Sequence, residues 1–347
     1  MDVRPEKGTV EYVTGYAGSN LHRPECVVAH RSGLIITPNW RDDGGISLIN
    51  KHNHTAHILC KDRQTRPLRP NGITLEADGS VLLAHMGDVD GGIYRLFADG
   101  STEIAVETVN GKPMPPTNFV VKDRLGRIWI TVSTRKTPRA LDYRADANTG
   151  FIAVALPHST DATIVADGLG YTNECVIDEV RQRLYVNETF GRRLTQFTLN
   201  DKFKDHAAGI PSLGSQTTLH NFGIGTYPDG LALDSKGDLW VTSIVSNRII
   251  RISRNAKSNI HFEDSDESHI LWAENAYQTN TMGREHLDKA RSKELKNISN
   301  AAFGGSDLKT LYLGNLLGDQ LPYLNMDVAG EPMVHWNVPL GRLADYV

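Results

Sequence analysis

A polar residue recurs six times along this chain, each time a short distance ahead of a tight turn. Pro, Thr or Ser precedes each copy, and a short apolar stretch, a polar turn and a second apolar stretch follow it. The copies, which we call the polar set, are Glu25, Asn71, Asn118, Asn173, Asp229 and Asn300. Four of them lie eight residues before a turn glycine, at Gly33, Gly79, Gly126 and Gly237. The pattern indicates a repeated supersecondary unit with an oxygen-bearing side chain at one fixed position.

The spacing of the polar set predicts a β-propeller. Its intervals are 46, 47, 55, 56 and 71 residues, and such periods with several strands per unit are typical of propeller blades rather than helical solenoids. Each half-repeat is rich in Val, Ile, Leu and Trp and is bounded by turn residues. Turns such as Ala77-Asp78-Gly79 fit β-hairpins in which glycine supplies a positive φ. We expect an all-β fold, a six-bladed β-propeller that forms one domain over residues 1–347.

Closing such a ring requires a strand from one terminus to complete a blade begun at the other. Residues 9–13 alternate well enough to be that strand. They would join the last blade, which we expect to start at Asn300 and to continue through residues 332–336. This predicts that the N-terminal segment is essential for stability.

The composition excludes several classes of partner. The formal net charge is −4 and the basic residues form no long block, which makes nucleic acid an unexpected partner. No apolar run reaches the roughly 20 residues that a membrane helix needs, so we expect no membrane partner. Three cysteines without a CxxC spacing do not indicate a disulfide framework. The N-terminus lacks a signal-peptide pattern. We expect a cytoplasmic monomer or homodimer that acts on a small-molecule substrate.

The polar set predicts a metal site in the central channel. The first strand of each propeller blade lines this channel, so residues that begin those strands meet at one end of it. Buried carboxylates are costly unless they are paired or metal-bound. Carboxylate and amide oxygens suit a hard divalent cation, Ca²⁺ first, then Mg²⁺ or Mn²⁺, with Zn²⁺ also possible. A single Asn after Pro is more often a turn former, but six in register favour a functional site.

Within the polar set, the two carboxylates must be neutralised. We therefore interpret Glu25, Asn173 and Asp229 as the metal ligands, with Asn118 next as a ligand or substrate contact. Asn71 and Asn300 would hold loops, waters or substrate.

The motifs of the fifth and sixth repeats resemble those of a known family. Pro228-Asp229-Gly230 is followed by GDLWV at 237–241 and RIIR at 248–251, and Phe303-Gly304-Gly305 precedes Thr310-Leu311-Tyr312. The sequence resembles the gluconolactonase/regucalcin/luciferin-regenerating-enzyme family from about Glu25 to Leu313. The resemblance implies a six-bladed propeller with one catalytic divalent metal, bound at positions matching Glu25, Asn173 and Asp229. It also implies an Asn that contacts the substrate or the metal, at Asn118.

Three neighbours of the polar set depart from the family pattern. Glu25 is followed by Cys26-Val27 where the family often has Gly-Pro, and Asn118 is followed by Phe119 where Asp is common. Asn173 is followed by Glu174 where Gly is common. The metal ligands are retained, whereas the lining of the channel is altered, so substrate identity is less constrained than the metal.

The second strand of each blade returns to the same channel mouth, where its last residues would surround a substrate. The candidates for substrate contacts are His85, Arg135, Asn187 and Ser243. His85 could equally be a hydrogen-bonded strand-end histidine, and Arg135 either a carboxylate-binding residue or a solvated surface arginine. We assign the general base to Asp229. Glu174 is a weaker candidate, since alternation along a strand would direct it away from the channel.

Residues 264–298 break the strand pattern. Residues 270–277 and 285–295 have helical patterns separated by Met282-Gly283. By strand counting, this helical insert would lie over the channel mouth, either as a lid or wall or as a rim decoration without substrate contact.

These features favour a metal-dependent hydrolase that opens a lactone by Lewis-acid activation of the carbonyl and of water. One alternative is a metal-dependent lyase or isomerase on the same site. Another is a non-catalytic calcium-binding propeller, which is less favoured because the polar set faces the channel axis.

Overall fold

Six sheets arranged in sequence form the fold, and each contains four antiparallel strands. The computed structural model describes residues 13–61, 66–200, 209–290 and 292–347. The first three blades contain β2 (Val28–Ala29), β3 (Ile35–Asn39), β4 (Gly45–Ile49), β5 (Thr55–Leu59), then β6 (Pro70–Leu75), β7 (Val81–His85), β8 (Ile93–Leu96), β9 (Thr102–Val106), then β12 (Phe119–Lys122), β13 (Ile128–Val132), β14 (Gly150–Ala155) and β15 (Asp161–Leu169). A small hairpin of β10 (Thr108–Val109) and β11 (Lys112–Pro113) extends the third blade.

The other three blades repeat the same order of strands. They contain β16 (Thr172–Asp178), β17 (Arg183–Glu188), β18 (Arg193–Asn200), β19 (Ser212–Asn221), then β20 (Tyr227–Leu233), β21 (Leu239–Ile244), β22 (Arg248–Ile252), β23 (Ser258–Glu263), then β24 (Ile298–Gly304), β25 (Thr310–Asn315), β26 (Leu321–Asn325) and the N-terminal β1 (Gly15–Ala17). The predicted six-bladed β-propeller is therefore confirmed. Apolar clusters fill the spaces between neighbouring blades, as between the third and fourth, where Trp129 packs near Leu184.

Strand β1 closes the ring by pairing with β26 of the sixth blade, with Tyr16 opposite Pro322. An N-terminal closing strand was expected, but at residues 9–13, and residues 9–12 lie outside the described residues. The expectation that the last blade continues through 332–336 is wrong. Residues 321–325 supply that strand, and Val334–Asn337 form a 3₁₀ turn. Pro332 cannot donate to a strand ladder, which helps to explain why the chain leaves the sheet before it.

The C-terminal segment crosses the end of the propeller opposite the polar set. Each inner strand starts within three residues of a polar-set residue and ends at a hairpin turn. The C-terminal segment contacts these turns in several blades. The Glu331 amide donates to the Leu233 carbonyl of the fifth blade, and the Arg31 amide of the first blade donates to the Trp336 carbonyl. Gly79 of the second blade has φ +83°, and a Cβ there would be 2.2 Å from the Leu340 carbonyl oxygen. The C-terminal segment therefore packs directly against these hairpin turns.

Two histidines lie where this tail meets the first blade. His30 is buried, and its Nε2 lies 2.9 Å from the Val338 carbonyl oxygen while Nδ1 lies 2.9 Å from Ser32 Oγ. A neutral His30 satisfies both contacts by donating from Nε2 and accepting at Nδ1. Burial, together with the neighbouring His30, lowers the pKa of the half-buried His335 to about 4. Both rings are therefore neutral in the folded protein at pH 7.

The helical insert follows β23 and contains α1 (Glu267–Gln278) and α2 (Arg284–Asp288). Asp266 caps α1 by accepting from the His269 amide, 3.0 Å away. The expectation of a second helix over 285–295 is wrong beyond Asp288. The Asp264 carboxylate accepts from the Glu294 and Leu295 amides instead, which holds that stretch as a loop. Among the described residues, no helix is long and apolar enough to cross a membrane.

We predict that deleting residues 1–17 lowers the free energy of unfolding by several kcal/mol, since it removes β1 and exposes the edge of β26. Denaturant titration followed by circular dichroism measures this change. Deletion of residues 1–12 alone is the matched control, because it retains β1. An unfolding midpoint unchanged by the longer deletion would mean that β26 needs no closing partner.

We predict that the protein loses stability as the pH falls from about 6.5 to about 4, in part through His335. The pKa of His335 is lowered in the folded protein, so the unfolded chain binds more protons between these pH values. The free energy of unfolding therefore decreases as the pH decreases. The contribution of this half-buried group is about 1–3 kcal/mol. His335→Gln should flatten the dependence of unfolding free energy on pH, whereas the exposed His52→Gln should not. Equal pH slopes for the wild type and His335→Gln would contradict the assignment.

Candidate active site

β-bulges interrupt the inner strands at the polar set. In β16, Thr172 pairs with Glu188 and the next regular pair is Cys175 with Val186, so Asn173 and Glu174 lie opposite one residue. Strands β6 and β20 have the same interruption at Asn71-Gly72 and Asp229-Gly230, and β24 has a register shift just before Asn300. Bulges break the strict alternation of side chains and often re-aim them beside active sites. Two consecutive residues can therefore face the channel at these points.

All six members of the polar set are buried, with exposed fractions of 7% or less. Asn173 and Asp229 are in direct contact, since the Asn173 amide donates to Asp229 Oδ1 and also to Thr189 Oγ1 at 3.0 Å. Asn71 Nδ2 donates to the carbonyl oxygen of Asn118 at 3.1 Å. The structure therefore brings the predicted set together at one end of the channel, although the ligand roles remain a prediction.

Glu25 is fixed through its backbone to the sixth blade. Ser299 Oγ donates to the Glu25 carbonyl at 2.8 Å, and the Asn315 amide donates to the Pro24 carbonyl. Its carboxylate lies 2.9 Å from the guanidinium of Arg23 through Oε2, yet this oxygen accepts no well-aligned hydrogen bond. A buried carboxylate oxygen with an incomplete set of partners is the kind of atom that binds a cation or an ordered water.

Glu174 lies inside the channel, contrary to the expectation from alternation. Its two oxygens accept from Asn300 Nδ2 at 2.7 and 2.9 Å, and Oε2 also accepts from the Leu231 amide at 3.0 Å. Gly230 leaves room in this region, because a Cβ there would lie 2.4 Å from Asn300 Cα. The glutamate thus connects the fourth, fifth and sixth blades across the channel floor. One sequence signal could have indicated this position. Asn71 and Asp229 are each followed by Gly, whereas Asn173 is followed by Glu174.

The pKa values of two carboxylates in this site are raised. Burial raises the pKa of Asp229 well above its usual range, and the charges of Glu25 and Glu174 raise it further. Burial likewise raises the pKa of Glu174 to about 8, although the Leu231 amide and Asn300 oppose the shift. Positive charge in the channel would favour the ionised forms of both.

The donor set fits a hard divalent cation. Within the described residues, no three His, Cys, Asp or Glu side chains are grouped tightly enough to hold a metal ion by themselves. A metal between Glu25 and Asp229 would therefore need the amide oxygen of Asn173, which a flip of that amide would supply. Such all-oxygen coordination, completed by water, is what Ca²⁺ and Mg²⁺ prefer.

Asn118 connects the channel floor to a hydrogen-bonded chain in the third blade. Its Nδ2 donates to Ser133 Oγ at 3.0 Å, and Ser133 Oγ also accepts from Arg139 Nη2 at 3.1 Å. Arg139 begins the 3₁₀ turn Arg139–Asp142 just after β13, and its Nε donates to the Tyr171 hydroxyl at 3.2 Å. Sequence reasoning did not identify Arg139, because a loop arginine carries no periodic signal.

Asn187 and Ser243 lie beneath the predicted ligands rather than at the mouth. Asn187 Nδ2 donates to the backbone carbonyls of Asp229 and Gly230 at 3.1 and 2.9 Å. Ser243 Oγ accepts from the Tyr227 amide at 2.9 Å. Both side chains are fully buried, so these contacts fix the backbone around Asp229. Their roles as substrate contacts stay predictions.

His85 and Arg135 make local contacts. His85 is buried, and its Nδ1 accepts from the Arg69 amide at 3.0 Å, so a neutral ring carries its proton on Nε2, 3.7 Å from the Asp90 carboxylate. Arg135 forms a two-bond ion pair with Asp167 at 2.7 and 3.0 Å, with both side chains largely exposed. Its guanidinium is thus already engaged at the surface.

The helical insert packs over the channel end that holds the polar set. Residues of α1 such as Ala273 and Tyr277 join an apolar cluster with Tyr171, Phe190 and Tyr227. Buried Glu274 forms an ion pair with Arg192 and also accepts from the Gly225 amide at 3.0 Å. The insert is therefore attached as a fixed wall by both apolar and charged contacts.

A surface cavity away from the polar set has a different lining. It has a volume of about 380 Å³ and is lined by Asp78, Ser80, Phe97, Asp99 and Arg342. These residues belong to hairpin turns and the C-terminal tail, at the end opposite the polar set. The convergence of buried carboxylates therefore defines the candidate site better than cavity volume does.

Comparison with known proteins identifies the family. A family model described as the SMP-30/gluconolactonase/LRE-like region matches residues 89–263. The chain belongs to this family, as its resemblance predicted.

The individual relatives share 25% sequence identity or less with this chain. The pentonolactonase XacC of Haloferax volcanii is 25% identical over 252 residues, which cover 72% of this chain and 67% of that protein. Among solved structures, a gluconolactonase from Xanthomonas campestris has a TM-score of 0.62 at 17% identity, covering 93% of this chain and 96% of the other. Regucalcin from Agrobacterium tumefaciens, described as a calcium-binding protein, has a TM-score of 0.61 at 16% identity over 92% and 96%. At these identities the structural likeness shows the fold.

We predict that Glu274→Ala loosens the helical wall. The change leaves the Arg192 guanidinium buried without its partner, which should lower stability by about 3 kcal/mol. Amides of residues 267–278 should then exchange with deuterium faster, as followed by mass spectrometry. Glu267→Ala, at an exposed position of the same helix, is the control. Unchanged exchange in Glu274→Ala would mean that apolar packing alone holds the wall.

Proposed function

We propose that this protein hydrolyses a lactone with the help of one divalent metal ion held by Glu25, Asn173 and Asp229. The observation that carries the proposal is the convergence of these buried oxygen donors at a single channel end, where Glu25 Oε2 has Arg23 at 2.9 Å but accepts no well-aligned hydrogen bond. Membership of the gluconolactonase-like family and similarity to a pentonolactonase support the choice of reaction. We further propose that Asn118 contacts the metal or the substrate.

Bound at this position, the metal would polarise the ester carbonyl and make a coordinated water more acidic. The described oxygen ligands favour Ca²⁺, and the calcium-binding description of the regucalcin relative points the same way. Mg²⁺, Mn²⁺ and Zn²⁺ are the alternatives to be compared.

Asp229 is the proposed general base. Burial and two neighbouring carboxylates raise its affinity for a proton, and Asn173 orients its carboxylate by donating to Oδ1. In the reaction, water oxygen bonds to the carbonyl carbon and the ring C–O bond breaks. The proton that Asp229 accepts from water passes to the departing alkoxide oxygen, which gives the open hydroxy acid.

Asn187 and the helical wall support this chemistry indirectly. Asn187 holds the carbonyls of Asp229 and Gly230, which keeps the base in its bulged position. The wall covers the aromatic residues beside the channel and limits the access of water from that side. Restricted solvent strengthens electrostatic interactions in the site.

We predict that Asp229→Asn lowers kcat/KM for lactone hydrolysis by about 100- to 10,000-fold, the range typical of losing a general base. The measurement is acid release from sugar and aromatic lactones, using chelator-treated protein reloaded with each cation. Asp146→Asn, at an exposed position, is the matched control. Metal content and thermal unfolding of Asp229→Asn would be measured in parallel.

Two results would contradict the proposal. One is undiminished hydrolysis by Asp229→Asn, which would remove the base assignment. The other is a wild-type protein that binds metal but opens no lactone, which would favour a lyase or a binding protein.

A further inference from the structure

Arg139 is a cation beside the candidate active site whose hydrogen-bonding capacity is incomplete. Its Nη2 donates to Ser133 Oγ and its Nε to the Tyr171 hydroxyl, while its buried Nη1 has no hydrogen-bond partner. Among the described residues, no ion pair within 4 Å joins Arg139 to a carboxylate. A buried N–H group without a hydrogen-bond partner is costly unless a ligand or an ordered water binds it. This arrangement leaves a donor available to a ligand.

The position of Arg139 relates it directly to the channel floor. Ser133 Oγ, which accepts from Arg139, also accepts from Asn118 Nδ2 at 3.0 Å. One hydroxyl therefore connects the guanidinium to a member of the polar set. The charge of Arg139 also acts to lower the pKa of Asp229, which is consistent with this short separation.

Arg23 provides a second guanidinium at the same place. Its Nη2 lies 2.9 Å from Glu25 Oε2, its Cζ lies 4.3 Å from the Trp40 ring centroid, and its buried Nε has no hydrogen-bond partner. Arg139 and Arg23 are close enough for the charge of Arg139 to lower the pKa of Arg23. The carboxylate of Glu25 is in contact with Arg23 but acts on Arg139 only through its charge, so Arg139 is the guanidinium that can still bind an added anion.

A third cation comes from the helical wall. Arg284 lies at the start of α2, pairs with Asp288 at 3.1 Å, and acts electrostatically on both Arg23 and Glu25. With a divalent metal in place, the positive charge of the metal, Arg23 and Arg139 exceeds the negative charge of Glu25, Glu174 and Asp229. The loaded site would then attract an anionic rather than a neutral substrate.

We propose that the substrate is a lactone bearing an anionic group, a carboxylate or a phosphate, which Arg139 binds with support from Arg23. The inference rests on the proposed lactonase function and narrows its substrate class. The planar guanidinium suits either oxyanion, since two N–H groups can match two oxygens. A neutral sugar lactone would offer Arg139 Nη1 no anionic partner in the complex, which disfavours it.

The test compares three lactones: D-saccharic acid lactone, which carries a carboxylate, phosphogluconolactone, which carries a phosphate, and neutral D-glucono-δ-lactone. We expect the wild-type protein to show a kcat/KM at least about tenfold higher for one anionic lactone than for the neutral one. Which anionic lactone is preferred distinguishes carboxylate from phosphate. A preference for the neutral lactone would overturn the proposal.

Arg139→Gln should lower the ratio of anionic to neutral kcat/KM by about 10- to 100-fold, chiefly through the KM of the anionic lactone. Arg139→Lys should restore part of the ratio by restoring the charge. Arg144→Gln is the control, since Arg144 follows in the same loop but pairs with exposed Asp146 at 2.8 Å. A ratio that Arg139→Gln leaves unchanged would show that Arg139 serves only as a counter-charge for the carboxylates.

A binding measurement separates failure of this inference from failure of the lactonase function. Titration calorimetry would compare saccharate and inorganic phosphate binding to metal-loaded wild-type and Arg139→Gln protein. Anion binding lost in Arg139→Gln, with no lactone hydrolysed by the wild type, would support the anion site while refuting lactonase activity. Equal binding to both proteins would refute the anion site even if lactones are hydrolysed.

Discussion

Closure of the ring is the constraint on which the rest of the structure depends, and the polar set contributes to it directly. The first and sixth blades meet where the Asn300 side chain accepts from the Val27 amide at 2.9 Å. Asn300 Nδ2 donates to the carboxylate of Glu174 in the fourth blade, which also accepts from the Leu231 amide of the fifth blade. One chain of hydrogen bonds thus connects the first, sixth, fourth and fifth blades. The residues that form the candidate site also hold the two ends of the polypeptide together.

This dual role explains how the channel can tolerate so much buried charge. The charge of Glu25 acts on both Glu174 and Asp229, and burial disfavours the ionised forms of those two carboxylates. Backbone amides, Asn300 and Arg23 offset part of that penalty, and a divalent cation would offset more. Because the ring is closed by many strand and interblade contacts, the fold can sustain this locally unfavourable cluster. Functional sites commonly retain such locally destabilising features where the surrounding structure fixes them.

The repeat predicted the architecture well, because one polar residue per blade at constant spacing reports both strand order and the direction of the inner strands. The predicted convergence of Asn173 and Asp229 followed from the same regularity. The repeat could not predict where a strand departs from the regular alternation of side chains. Glu174 faces the channel because a bulge adds a residue at Asn173-Glu174, and alternation arguments assume that no residue is added. Similarly, the tail at 332–336 is apolar enough for a strand, but its tertiary contacts with the hairpin turns decide its conformation.

Arginines illustrate a second limit of sequence reasoning. Arg135 and Arg139 lie four residues apart in one connection, and neither has a distinguishing motif. Arg135 forms an ion pair with Asp167 at the surface, which neutralises its charge. Arg139 follows a turn that directs it toward Ser133 and Tyr171, away from any carboxylate in direct contact. Their different environments arise from loop geometry, which depends on the third and fourth blades together. The surroundings of the candidate site therefore depend on the connections between strands, while the repeated strands supply the polar set that the connections surround.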